Sequence, residues 1–501
     1  MTRTDSAYGD LERRFARLAA VGDALGILGW DSQTMMPPGA AAGRAAQTAT
    51  LSVLAHDMLT DPALGDLFAA ADAEPGLNPW QRANVREMRQ SWQHATAVPA
   101  ALVEASSRAA SACEMIWRTA RAANDFAALL PSLTEVLALQ REIGAAKAAA
   151  LGCTCYEALL DAYEPGARTP AIDRLFDRLA AALPGLLARV LERQAVRPQP
   201  LPLPGPFPVE AQKALGEKLM RAVGFDFSRG RLDVSLHPFC GGANNDVRLT
   251  TRYDEADFTR SLMGVLHESG HALYEQGRPA EWLAQPVGAA RGMGFHESQS
   301  LIIEMQAARS RPFLEFLAPL VRVAFDGAGP AWTADNLHRL YTRVEPGLIR
   351  VYADEVTYPA HVILRYRLEK AMIAGDLLPA DLPGAWAEGM GTLLGLVPAD
   401  DSDGCMQDIH WPSGGWGYFP TYTLGAATAA QLFDAACRAD PDIRPGLARG
   451  DFAPLVGWLR PHVHARGSLL SSEELLIEAT GRPLDAGIYL AHLERRYLDG
   501  E

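Results

Sequence analysis

His267, Glu268 and His271 spell the pattern His-Glu-x-x-His, and Glu297 follows downstream. Two histidines four residues apart lie one above the other on the same face of a helix, so their imidazoles can converge on one ion. A glutamate directly after the first histidine can reach a water on that ion's open position, take its proton and later hand it to a leaving amine. With Glu297 as third ligand, the donor set is two imidazoles and one carboxylate with a fourth position free, as a catalytic rather than a structural zinc requires. A fourth protein ligand would displace that water, so the adjacent His296 reads as a helper. Glu304, seven positions beyond Glu297, could orient a ligand imidazole through its distal N–H, or could simply be solvated. Together these residue types and spacings point to a zinc-dependent peptidase.

Such a centre needs rigid elements on either side. Residues 254–276 read as one helix, with Asp254 as N-cap, Asp257 three residues later and Gly277 as the stop. Glu297 sits in the polar stretch His-Glu-Ser-Gln-Ser, which runs into an apolar helix at 301–307. Upstream, 231–236 and 246–252 alternate with period two and carry Val and Thr, which predicts two short strands separated by the Gly-Gly and Asn-Asn of 241–245. Residues 11–193 have helical spacing throughout, with Leu133, Val136 and Leu137 opening one apolar face and Pro79 and Pro99 marking helix boundaries. The proline run at 198–208 cannot be helical and predicts an extended connector inside one domain. A Gly- and Trp-rich loop at 410–420 interrupts the later helices, and no internal repeat is visible.

The composition fits that reading. Apolar residues are 48% of the 501 and charged residues 21%, the balance of a globular chain with a substantial core. The formal charge of −14 argues against nucleic acid as a partner. The six cysteines lack both metal-knuckle pairing and disulfide density, so reduced thiols are expected. The first 18 residues contain no apolar run like that of a signal peptide, and no stretch approaches the roughly 18 to 20 apolar residues of a membrane span. A cytoplasmic location and no membrane role are the expectations.

Six short motifs occur in order across this chain: His237-Pro238-Phe239, Asp246-x-Arg248-x-Thr250, His267-Glu268-x-x-His271, His296-Glu297-Ser298-Gln299, Ile349-Arg350-x-x-Ala353-Asp354, and Gly404-x-x-Gln407-Asp408-x-His410-Trp411. In that order they resemble the carboxypeptidase Taq family of metallocarboxypeptidases, and the resemblance covers nearly the whole chain. It implies a mainly α fold: a large, helical, two-lobed, neurolysin-like saddle with a deep central groove and a small β-sheet next to the metal site. One catalytic domain is expected over 1–501, with a helical N-terminal lobe to about 230, the metal site and groove at about 231–425, and C-terminal helices at about 426–501. The resemblance further implies a homodimer, one Zn2+ per chain with Co2+ as a substitute, and release of single C-terminal residues from peptides with broad tolerance.

Chemistry then assigns the remaining motif residues. A free C-terminal carboxylate calls for a cationic, preferably bidentate donor, which makes Arg248 and Arg350 the candidates. Arg350 is expected on a helix, where an ordinary ion pair with Asp354 on the same face is the competing explanation. For the developing oxyanion, the wider neurolysin-like group favours His410 with Tyr422, with Tyr418 in reserve, although these rings could instead form a packing cluster with Trp411, Trp416 and Phe419. Gln407 could hold the substrate main chain, and His237 could line the pocket. Two other functions compete: a zinc oligopeptidase that cuts internal bonds, and a non-catalytic helical binding protein with a structural metal.

Overall fold

A computed structural model describes residues 6–500, within which the chain forms twenty α-helices and one three-stranded sheet. Of the N-terminal stretch read for a leader, residues 1–5 lie outside the described part, Ser6 is an N-cap, and the rest belongs to the helix Ala7–Thr34. Local signals set many boundaries. Asn78 and Gln81 form a reciprocal cap with Pro79 in the first turn of Pro79–Thr96, and Pro99 precedes Ala100–Ala123. The proline-rich connector carries no regular structure, as expected. All six cysteines are free thiols, and no helix among the described residues is long and apolar enough to cross a membrane.

Two large hydrophobic cores tie distant segments together. One joins Leu175, Leu179 and Leu183 to Ile363, Trp386, Trp411 and Leu493, and the other joins Leu219, Leu266 and Ile302 to Leu432 and Leu459. The chain is thus stitched by contacts far apart in sequence, and the segment that carries His267 and His271 lies at the second core.

The sheet departs from expectation by one strand. Strands β1 (Gly230–Val234), β2 (Cys240–Ala243) and β3 (Asp246–Thr251) run in the order β1-β3-β2, with β1 parallel and β2 antiparallel to β3. The Cys-Gly-Gly-Ala segment, expected as a separator, is itself β2. Its glycines carry no β-propensity signal, and it becomes a strand by pairing with β3 across the two-residue turn Asn244-Asn245. Val247 and Leu249 of β3 pack with Val265 and Ala272, so the sheet backs the helix that carries the two histidines.

That helix is Phe258–Gly277, and its N-cap is Asp257, not Asp254. Asp257 accepts from the Thr259 amide, whereas Asp254 caps the preceding turn through the Ala256 amide. Asp257 wins because it directly precedes Phe258, the first fully buried residue of the helix. Glu297 lies on Met293–Leu301, which continues into a π-helical turn, Ile302–Ala308, where an ordinary α-helix was expected.

Candidate metal centre

Two glycines let helices close in on Glu297: Gly270 where the helix of the two histidines meets that of Glu297, and Gly425 where a third helix meets the latter. A Cβ on Gly270 would sit 2.5 Å from Ser300 Cα and still closer to the Gln299 carbonyl. A Cβ on Gly425, in the helix Pro420–Ala439, would sit 2.8 Å from Glu297 Cβ and Cγ. This close packing brings His271 Nε2 to 3.5 Å and His267 Nε2 to 3.8 Å from Glu297 Oε2. One ligand atom from each of the three residues falls within 4.8 Å of the others.

The outward-facing ring nitrogens are already committed. His267 Nδ1 lies 2.9 Å from Glu304 Oε2, and Arg309 donates to Glu304 Oε1 at 2.5 Å. His271 Nδ1 lies 2.6 Å from His296 Nδ1, and His296 Nε2 lies 2.9 Å from Glu275. A consistent proton arrangement has His271 Nδ1–H donating to His296 and His296 Nε2–H donating to Glu275. The Nε2 atoms of both histidines are then the ones that face Glu297 and would take an ion. Glu304 is buried, which removes the solvated alternative.

Electrostatics agree with a cation site. Burial alone would depress the His267 imidazole, but Glu297, Glu304 and Glu268 outweigh it and lift it to about 10. Burial would raise Glu297, yet His267 and His271 hold it at about 2. His271 falls to about 4, chiefly by burial. A pocket that holds a proton this firmly between carboxylates also attracts a divalent cation, whose arrival displaces that proton. Two imidazoles and a carboxylate, with outer partners fixing both rings, fit such an ion. Glu268, 6% exposed, is pushed up to about 7, mainly by burial.

A second cluster borders the first. His410 Nε2 lies 3.4 Å from Tyr422 Oη, and the Tyr418 ring centroid lies 5.2 Å from that of Tyr422. Burial and then Glu297 push the Tyr418 phenol up to about 12, so this group feels the carboxylate at the metal centre. Burial and Arg350 pull His410 down to about 4, which leaves a neutral imidazole. Packing is not an alternative to a site here, because the rings form the aromatic cluster and border the centre at once. Glu369, on the helix Tyr358–Ala374, clamps the loop at both ends. It accepts from Trp411 Nε1 at 2.8 Å and from the Gly417 amide at 3.3 Å, with Tyr156 Oη as a third donor at 2.9 Å.

Arg350 requires a correction. It lies in the short 3₁₀ turn Arg350–Tyr352, not on a helix, and Asp354 is not its partner. Asp354 accepts from the amides of Glu345, Val356 and Thr357, whereas Arg350 pairs with Asp408 Oδ1 at 2.8 Å and donates to Tyr358 Oη. Arg365 takes the other oxygen of Asp408 at 2.6 Å. The Arg350 guanidinium lies 5.2 Å from the Tyr422 ring, beside the second cluster.

Three further expected residues are placed differently from this group. Gln407 is a brace: its amide donates to the Leu348, Asp403 and Gly404 carbonyls and accepts from the Arg350 amide, so both its hydrogens are committed to backbone groups. Arg248 is held bidentately by Asp246 and lies 4.5 Å over Trp30, on the face of β3 opposite Val247 and Leu249. His237 is exposed in the loop between β1 and β2, where its carbonyl accepts from Ser235. Arg365, Glu369 and Tyr358 escaped the sequence reading. The available signal was Arg365 and Glu369, four residues apart and so on one face of a helix whose neighbouring positions are mostly apolar.

The sequence profile of the carboxypeptidase Taq (M32) metallopeptidases matches residues 10–497. Thermostable carboxypeptidase 1 of Thermus thermophilus is 41% identical over 98% of both chains. Among solved structures, metallocarboxypeptidase 1 of Trypanosoma cruzi is 44% identical with a TM-score of 0.96, covering 98% of this chain and 99% of that one. The M32 carboxypeptidase of Deinococcus radiodurans is 37% identical with a TM-score of 0.93 over the same shares. Chain-long matches of this kind, with two histidines and a glutamate converging as a divalent metal requires, place the chain in the carboxypeptidase Taq (M32) family, as a mainly helical metallocarboxypeptidase that hydrolyses peptides.

Proposed function

We propose that the resident metal is one zinc ion per chain, held by His267, His271 and Glu297, with cobalt as a working substitute. The 2-His, 1-carboxylate donor set and its outer hydrogen bonds support this reading. When bound, the metal supplies Lewis acidity toward the scissile carbonyl and the attacking water. Glu268 takes the proton of that water and returns it to the leaving amine, and burial tunes its carboxyl toward neutrality for both transfers. His410 Nε2 and the Tyr422 hydroxyl donate to the developing oxyanion, with the Tyr418 phenol beside them in reserve.

The observation that carries the exopeptidase assignment of residues is the sharing of Asp408. Two guanidiniums, Arg350 and Arg365, face one carboxylate, which leaves a positive charge beside the His410–Tyr422 pair. A substrate's terminal carboxylate balances that charge, with Arg350 as its reader. Arg248, on the far face of β3, and His237, exposed in the loop between β1 and β2, contribute less. The whole chain works as one catalytic domain, as a cytoplasmic homodimer, on short peptides of varied C-terminal residue.

The test is a peptide digest followed by mass spectrometry, with chelator, then with zinc or cobalt added back, on free-acid and C-terminally amidated versions of one peptide. A truncation ladder from the free acid alone, abolished by chelator and restored by zinc, is expected. Equal cleavage of the amidated peptide overturns the role given to Arg350.

A further inference from the structure

We propose that Arg496 is a positioning residue for the metal centre, acting through the π-helical turn Ile302–Ala308 that carries Glu304. The proposal rests on reading His267 as a metal ligand.

A π-helical turn within an α-helix is a strained stretch that persists only where its surroundings hold it. Here a buried guanidinium does so, beside the Gln306 side chain, whose amide lies 3.1 Å from His492 Nε2. Arg496 Nη1 donates to the Met305 carbonyl and Nη2 donates to the Gln306 carbonyl at 3.2 Å. These carbonyls belong to the two residues that follow Glu304. The planar fork of an arginine can span two neighbouring carbonyls in a way a lysine ammonium cannot.

Arg496 is in turn fixed by a fully committed carboxylate. Glu355 Oε2 accepts from Arg496 at 3.0 Å and from Tyr497 Oη at 3.0 Å, while Oε1 meets His492 Nε2 at 2.8 Å and the Glu355 carbonyl accepts from Tyr489 Oη. Glu355, His492, Arg496 and Tyr497 are all at most 7% exposed. Burial pulls the His492 imidazole down, so Arg496 and Glu355 form a balanced pair inside the protein.

At the other side of the same turn, Glu304 holds His267 Nδ1 at 2.9 Å and is itself held by Arg309. A continuous path therefore runs from Glu355 through Arg496, the Met305 and Gln306 carbonyls and the Glu304 carboxylate to the His267 ring. Removing the Arg496 fork frees two carbonyls, lets the turn relax toward α-helical bonding, and swings Glu304 away from His267.

The test measures zinc affinity by competition with a chromophoric chelator, alongside the Tm of the metal-free protein, for Arg496→Met, Arg496→Lys, Glu304→Gln and the double variant Arg496→Met/Glu304→Gln. Outer partners of metal-ligating histidines commonly carry about 10- to 100-fold in metal affinity, and a loss in that range is expected for Arg496→Met. Arg496→Lys, which keeps the charge opposite Glu355, should fall between it and the parent. The double variant should bind zinc no more weakly than Glu304→Gln alone, because both act through one contact.

A lowered Tm with unchanged zinc affinity overturns the proposal, as do additive losses in the double variant. Should Arg496→Met fail to fold, parental affinity in folded Arg496→Lys overturns it equally. His267→Ala separates the two readings: parental zinc affinity there sinks the ligand assignment, whereas its loss there with retention in the Arg496 variants sinks the positioning role alone.

Discussion

Replacing Gly425 by alanine puts a methyl carbon 2.8 Å from both Cβ and Cγ of Glu297 and 3.1 Å from the Gly294 carbonyl oxygen. Carbon atoms rest at about 3.5 to 4.0 Å, so the two helices must separate by about 0.7 Å or more at this point. Overpacking of this kind costs about 1–3 kcal/mol, offset by up to about 1 kcal/mol of helix propensity gained on losing a glycine. The displaced atoms belong to a candidate metal ligand, and sites of this type tolerate only about 0.5 Å of drift. Gly425→Ala is therefore expected to fold, with a slightly lower Tm, and to bind zinc at least about tenfold more weakly, with a fall in kcat/KM. Gly22→Ala in the helix Ala7–Thr34 is the control, since nothing lies within 4 Å of its new carbon, and it should gain up to about 1 kcal/mol with metal binding unchanged. Parental zinc affinity and turnover in Gly425→Ala would refute the reasoning.

Three other outcomes follow from the site. Glu268→Gln should keep its metal content and lose about 10²- to 10⁴-fold in kcat; full activity in the metal-loaded variant rules Glu268 out as the base. Arg350→Gln should raise KM for free-acid peptides and narrow the preference over amidated ones, and an unchanged preference shifts the carboxylate contact elsewhere. His464 is held at about 3, by burial first and then by Arg460 and His296. Its folded value lies below its unfolded one of about 6.5, so the unfolded chain binds the extra proton, and the stability present above pH 6.5 is lost as pH falls toward 3. At pH 4.5 that loss is about 3 kcal/mol, so His464→Gln should lose less stability than the parent between pH 7 and 4.5 in urea titrations, and parallel losses contradict it.

The fold class was legible because long stretches keep strict helical spacing and carry their caps in sequence, as at Asn78 and Pro79. The convergence of His267, His271 and Glu297 was legible because four-residue spacing on a helix is geometry written into sequence. What sequence hid was long-range or conformational. Asp408 lies 58 residues from Arg350, so the nearer Asp354 looked the better partner. Gln407 looked free because its four partners are backbone groups, which sequence does not distinguish. β2 was hidden by its glycines, and the π-helical turn by the fact that hydrogen-bond register leaves no trace in residue type.

The carboxylate of Glu369 fixes the loop from Trp411 to Gly417 at both ends, so the chain between them has a set contour. A side chain along it that makes no hydrogen bond to His410 or Tyr418, such as that of Pro412, can change with little effect on where those two residues sit. An inserted residue must bulge outward between the two attachments, and a deleted one shortens the span that joins them. Remodelling of this rim is therefore less disruptive as exchange of residue type than as change of length.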